Sequence, residues 1–167
     1  MFFRKRRKGG DTGEGVELGE FKGYFLALEV FQILRRPPLV KGLTILAGTV
    51  AEGDLAIGDY LVLPNGRVLR AKNIEVRNKR VERVGVNVPC GVLVEGVGWS
   101  PDKKDLKPYL ARQLIDEIRR ELEEKYKGVP KEARERLIEK EIPERLSNLI
   151  KSGKLENALK IYSSPGG

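Results

Sequence analysis

Arg77-Asn78-Lys79-Arg80, with Arg83 just beyond and Arg70 and Lys72 just before, is the densest group of chemically committed side chains in this sequence. Guanidinium and ammonium groups at such spacing make charge-assisted hydrogen bonds to phosphates, contacts that position a protein on RNA without reading bases. Two further groups have the same chemistry. Arg35-Arg36 precedes Pro37-Pro38, a stiff turn because proline fixes its own φ and biases its predecessor away from helix. Arg4, Lys5, Arg6, Arg7 and Lys8 form an uninterrupted basic run tethered by Gly9-Gly10. With Lys72, Arg77, Lys79, Arg80 and Arg83, these two groups are the candidate RNA-binding residues. Each run also reads as an ordinary solvated face.

Other chemistries find little to work with. There is no histidine, the usual general acid-base group near neutral pH. Cys90 lies between Pro89 and Gly91 with no imidazole to activate it. A single cysteine cannot close an intramolecular disulfide, which points to a reducing cytoplasm. Carboxylates cluster in helical stretches interleaved with Lys and Arg, as solvated pairs. We therefore expect no enzyme, no catalytic residue, no metal, no cofactor and no nucleotide. The charge of +8 and pI near 9.6 favour polyanionic partners. Charged residues at 34% with only Gln32 and Gln113 as glutamines also fit a hyperthermophile. Met1-Phe2-Phe3 and the cations are followed by no apolar core, so neither a secretion signal nor a membrane span is expected.

The elements that must present these cations are short β-runs. From Leu39 to Val97, β-branched stretches are cut by Gly48, Gly53, Gly58, Gly66, Gly85, Gly91 and Gly96, the punctuation of a small closed barrel. Tyr24–Leu34 reads as a first strand, with Leu28, Val30 and Leu34 on one face. On the strand from Arg67 to Arg77, Val68, Ile74 and Val76 should share the inward face and Arg77–Arg80 should turn. Between Phe21 and Trp99 eleven basic side chains meet seven acidic ones. The excess of four suits an rRNA-facing patch.

The order of these features resembles the second β-barrel domain of the translational GTPases, elongation factor Tu and its archaeal and selenocysteine-specific relatives. The resemblance is carried by Thr44, Gly48, Gly53 and Gly58-Asp59, then Pro64-Asn65-Gly66, Ile74 and Val76, then Val81, Gly85, Asn87, Val88 and Gly96-Val97. Three departures stand out: Leu43 where the family has glycine, one residue fewer before Gly85, and Trp99-Ser100-Pro101-Asp102 in place of an Arg-Gly exit. In that family this barrel is not catalytic; it sits against small-subunit RNA and helps hold the tRNA acceptor end. The phosphate-gripping Gly-x-x-x-x-Gly-Lys-Ser/Thr signature is absent and little chain precedes Leu39. The resemblance thus implies a barrel without its GTPase domain.

Beyond Trp99 the sequence reads as helical. Asp105 is placed to cap a helix in which Leu106, Leu110, Leu114, Ile118, Leu122 and Tyr126 recur every fourth residue, widened by Tyr109 and Ile115. Pro130 opens a second helix, Pro143 kinks it or opens a third, and residues 155–162 suggest a short last one. Either these helices fold on the barrel or they present Leu106, Tyr109, Leu110, Leu114, Ile118 and Leu122 to a partner or a second copy.

The expected protein is α+β: a flexible basic arm over 1–20, a small closed β-barrel over 21–99 and a helical region over 100–167. Its expected role is noncatalytic binding to the ribosome in the cytoplasm, through small-subunit rRNA and proteins. There it would regulate translation by blocking factor binding or subunit joining, or by holding ribosomes idle or paired through a homodimer. A protein-protein adaptor using the helices and a tRNA-binding accessory are the alternatives.

Overall fold

The computed structural model describes residues 16–33, 42–153 and 157–165. Nine strands are present among them: β1 (Phe21–Ile33), β2 (Leu43–Glu52), β3 (Leu55–Ala56), β4 (Tyr60–Val62), β5 (Val68–Val76), β6 (Lys79–Arg80), β7 (Arg83–Val84), β8 (Cys90–Gly96) and β9 (Leu159–Tyr162). Three helices, α1 (Lys103–Leu106), α2 (Arg112–Lys125) and α3 (Lys131–Lys151), lie between β8 and β9. Six strands close on themselves in the order β1-β2-β8-β5-β4-β9, every pair antiparallel. Closure leaves no unpaired edge and so protects the backbone donors of short strands.

Alternation builds the interior. On β2 the side chains of Leu46 and Val50 point in, as Val92 and Val94 do on β8. Phe25, Leu61, Leu69, Ile74, Leu159 and Ile161 complete the core. Gly48 is required by a close approach, since a Cβ there would stand 2.0 Å from the Leu26 carbonyl oxygen. Leu55 of β3 and Val84 of β7 pair with each other and are buried in the same core.

Register jumps in β1 and β5 change which residues face inward. The register of β1 on β2 jumps between Ala27 and Glu29, leaving Leu28 unpaired. Phe25, Ala27 and Val30 therefore enter the barrel, whereas Leu26 and Leu28 turn outward to the helices. Leu28 and Val30 do not share a face, and Leu34 lies outside the described residues. A second jump, between Ala71 and Asn73, makes Lys72 the extra residue of β5. Leu69 and Ala71 precede it on the inside and Ile74 and Val76 follow, so Val68 does not join Ile74 as alternation alone predicts. An extra residue flips side-chain parity, and no composition rule marks where it sits.

The helical region differs from expectation in two places. Asp102, not Asp105, is the cap: its carboxylate accepts the Asp105 N–H at 3.0 Å while the Asp105 carboxylate accepts the Asp102 N–H at 2.9 Å. That reciprocal box closes a single turn, a 3₁₀ turn over Lys107–Tyr109 follows, and extended Leu110 separates both from α2. The second difference is β9. Residues 159–162 are a strand, not a helix, and fill the gap between β1 and β4. α3 runs through Pro143 to Lys151 as one helix.

α2 and α3 form an antiparallel pair on the outer face of β1 and β2. Ile118 and Leu122 of α2 and Ile138, Ile142 and Leu146 of α3 bury a second core with Leu26, and Tyr24, Leu28 and Ala51 pack around it. Each such large side chain contributes on the order of 1.5–3 kcal/mol by burial. The Ala111 N–H donates to the Ala27 carbonyl at 2.7 Å, stitching the start of α2 to the bulge of β1.

Candidate nucleic-acid interface

β5 and β6 form a hairpin whose turn is set by backbone geometry. Arg77 and Asn78 have φ of 53° and 66°, and Val76 pairs directly with Lys79, the two-residue mirror-image turn whose twist matches that of its strands. Asparagine tolerates this region well and arginine poorly. Arg77, Lys79 and Arg80 are exposed at the tip, and Lys72 is exposed on the bulge. Arg80 is braced, its Nε donating to Asn73 Oδ1 at 2.9 Å and its guanidinium meeting Glu82 at 3.3 Å.

Arg83 is tied down differently, by an ion pair with Asp54. Asp54 also lies 3.7 Å from Lys22, which donates to Asp59 at 2.5 Å. Asp59, 5% exposed, further accepts the Ala56 N–H at 2.8 Å. This chain of charges joins β1, the β2–β3 and β3–β4 connections and β7. Arg83 is therefore part of the scaffold as well as part of the basic surface.

Of the remaining candidates, Arg4–Lys8, Arg35 and Arg36 lie outside the described residues. Leu106 is 2% exposed within the barrel core, with Tyr109 and Leu110 packed against it. Ile118 and Leu122 are buried between the helices and β1, with Leu114 beside them. The helices thus fold on the barrel, and Leu106, Ile118 and Leu122 are not a surface offered to a second copy. Burial pushes the Cys90 thiol up to about 11; its Sγ–H points to the Gly48 carbonyl at 3.6 Å. Among the described residues no group of three His, Cys, Asp or Glu side chains could hold a metal ion. None of their helices is long and apolar enough to cross a membrane.

One surface escapes a reading along the chain. Phe21 of β1 pairs with Tyr162 of β9, Tyr162 with Tyr60 of β4, and Tyr60 with Arg70 of β5. One register step away, Tyr24, Lys160 and Val62 lie opposite one another. They line an open cleft of about 570 Å³, walled by Pro64 and by Ile150 at the end of α3. Only Arg70 of this surface belongs to a conspicuous run in the sequence.

No protein-family model and no curated protein matches the chain. Among solved structures it is similar to the apo form of translation elongation factor SelB from Methanococcus maripaludis, at 19% identity and a TM-score of 0.39 over 53% of this chain and 18% of that one. A bacterial selenocysteine-specific elongation factor, EF-Sec, matches at 19% identity and a TM-score of 0.38, over 55% of this chain and 14% of that one. The chain spans less than a fifth of either protein. Independently of these matches, the closed six-stranded antiparallel barrel fits the second-domain architecture of translation factors that the glycine pattern resembles.

Proposed function

We propose that this protein is a noncatalytic, translation-factor-like module that binds ribosomal RNA of the small subunit. The observation that carries this reading is the β5–β6 hairpin: three exposed cations, Arg77, Lys79 and Arg80, held at the tip of a rigid closed barrel. Cations on a preordered turn meet phosphates at little entropic cost, and each neutralised phosphate releases counterions. Lys72 beside the tip adds to the same field. The family pattern from Thr44 to Val97 supplies the ribosome as the polyanion. Such a barrel regulates translation by occupying a surface that other factors need.

Co-sedimentation with purified small subunits at several salt concentrations tests this. Binding should fall steeply with salt. Reversing charge at Arg77, Lys79 and Arg80 should lower the slope of log affinity against log salt by about 2, at roughly 0.7 per lost contact to unpaired RNA. A chain that stays at the top of the gradient at low salt overturns the reading.

A further inference from the structure

We infer that the outer face of β1, β9, β4 and β5 is a stacking platform for single-stranded RNA, separate from the cationic hairpin; the inference rests on the RNA-binding reading above. Sheet register puts Phe21, Tyr162, Tyr60 and Arg70 side by side on four adjacent strands. Leu61, Leu69 and Ile161 are fully buried, so alternation turns their sequence neighbours Tyr60, Arg70 and Tyr162 outward, and a register jump between Phe21 and Gly23 brings Phe21 onto the same face. Strands lie about 4.8 Å apart, and the three rings therefore span about 10 Å, room for two or three bases.

The rings are held in place rather than loosely displayed. Phe21 packs edge-to-face on Tyr24 at 5.3 Å and on Tyr162 at 5.6 Å, yet remains 46% exposed. A large aromatic side chain locked by two neighbours and still open to water loses little entropy when a base covers it. Two cations border the row. The Arg70 guanidinium lies 5.8 Å from the Tyr60 ring centroid, and Lys160 is exposed between Tyr24 and Val62 on the cleft floor. Glu95 lies opposite Arg70 on β8, and no ion pair between the two forms.

Aromatic faces flanked by cations match the two components of an unpaired strand, bases and phosphates. A duplex hides its base faces and offers only phosphates and groove edges. Preference for unpaired RNA that depends on the rings is therefore the signature of this face, whereas the hairpin cations serve both forms alike.

The test is fluorescence anisotropy with the full chain, an end-labelled oligouridine of about 12 nucleotides and a duplex of similar length. Wild type should bind the single strand more tightly than the duplex. Phe21→Leu and Tyr60→Leu should each weaken the single strand about 5-fold or more and leave the duplex unchanged, while charge reversal at Arg77 and Lys79 should weaken both. Far-UV circular dichroism checks folding; should Tyr60→Leu unfold, exposed Phe21→Leu decides. Equal single-strand affinity in a folded ring variant, preference for the duplex, or no binding of oligouridine at low salt overturns the inference. Ribosome co-sedimentation that persists in those cases leaves the ribosomal reading standing. Ring-dependent oligouridine binding without co-sedimentation overturns that reading and sustains the platform.

Discussion

The Lys22 ammonium donates to the Asp59 carboxylate at 2.5 Å across the mouth of the barrel, and both side chains are largely withdrawn from water. Asp59 belongs to the Gly58-Asp59 pair of the sequence pattern, and its role here is structural: it joins β1 to the tight connection before β4 through Lys22 and the Ala56 N–H. Removing one partner leaves the other's charge with poorer company. Asp59→Ala should cost about 3 kcal/mol, measured by guanidinium unfolding. Asp59→Asn keeps an acceptor for Ala56 and should cost less. Equal losses in the two variants would mean that the charge pair, not the backbone contact, matters.

Leu106 should behave as a core residue of the barrel although it belongs to α1. At 2% exposure among Phe25, Val30 and their neighbours, Leu106→Ala should destabilise by roughly 2–5 kcal/mol. Gly48→Ala probes the β1 bulge, because a methyl group there meets the Leu26 carbonyl oxygen at 2.0 Å. The backbone must shift, at about 1–3 kcal/mol. Thermal melts of both variants check these figures, and a wild-type melt for Gly48→Ala would show that the two strands separate easily.

Acid should loosen the α2–α3 pair. The Tyr126 hydroxyl and then the Lys125 ammonium donate to the Glu141 carboxylate and hold it below the usual carboxylate range. Because the folded value is lower than the unfolded one, the unfolded chain takes up the proton first as pH falls. The contribution of this contact is complete above the unfolded value of about 4.3 and is lost as pH drops through the folded value. Melting temperature followed from about pH 6 to about pH 3 should fall less steeply in Glu141→Gln.

Cys90 should be a silent thiol. With burial pushing it up to about 11, its thiolate at mildly alkaline pH is scarce. Alkylation by iodoacetamide should be at least about 100-fold slower in the folded protein than in denaturant. Comparable rates would show that the start of β8 opens readily to solvent.

Local pattern was enough for the barrel where one residue follows another in register. The glycines between short strands, a turn starting at Arg77 and the apolar stripe of Ile118 and Leu122 were all legible, since each rests on neighbours within a few positions; that the turn is Arg77-Asn78 alone, with Lys79-Arg80 already paired as β6, was not. Bulges at Leu28 and Lys72 were not, because an inserted residue depends on what the partner strand can accommodate. Residues 159–162 show why length matters: Leu159 and Tyr162 are three apart, as in a helix, while Leu159 and Ile161 alternate, as in a strand. Four residues cannot choose between these periods. The open gap between β1 and β4 made the choice.

By itself the sequence determined the chemistry on offer, an excess of cations with no histidine and a single thiol, together with a glycine-punctuated barrel to carry it. Residue types and local spacing suffice for that. Tertiary structure decided that the helical stripe lies against β1 and β2, that Arg83 joins a partly buried charge network, and that Phe21, Tyr60 and Tyr162 stand in one row. Those outcomes depend on strands far apart in the chain becoming neighbours, and pairing free energy across a closed sheet is a property of the whole set of strands.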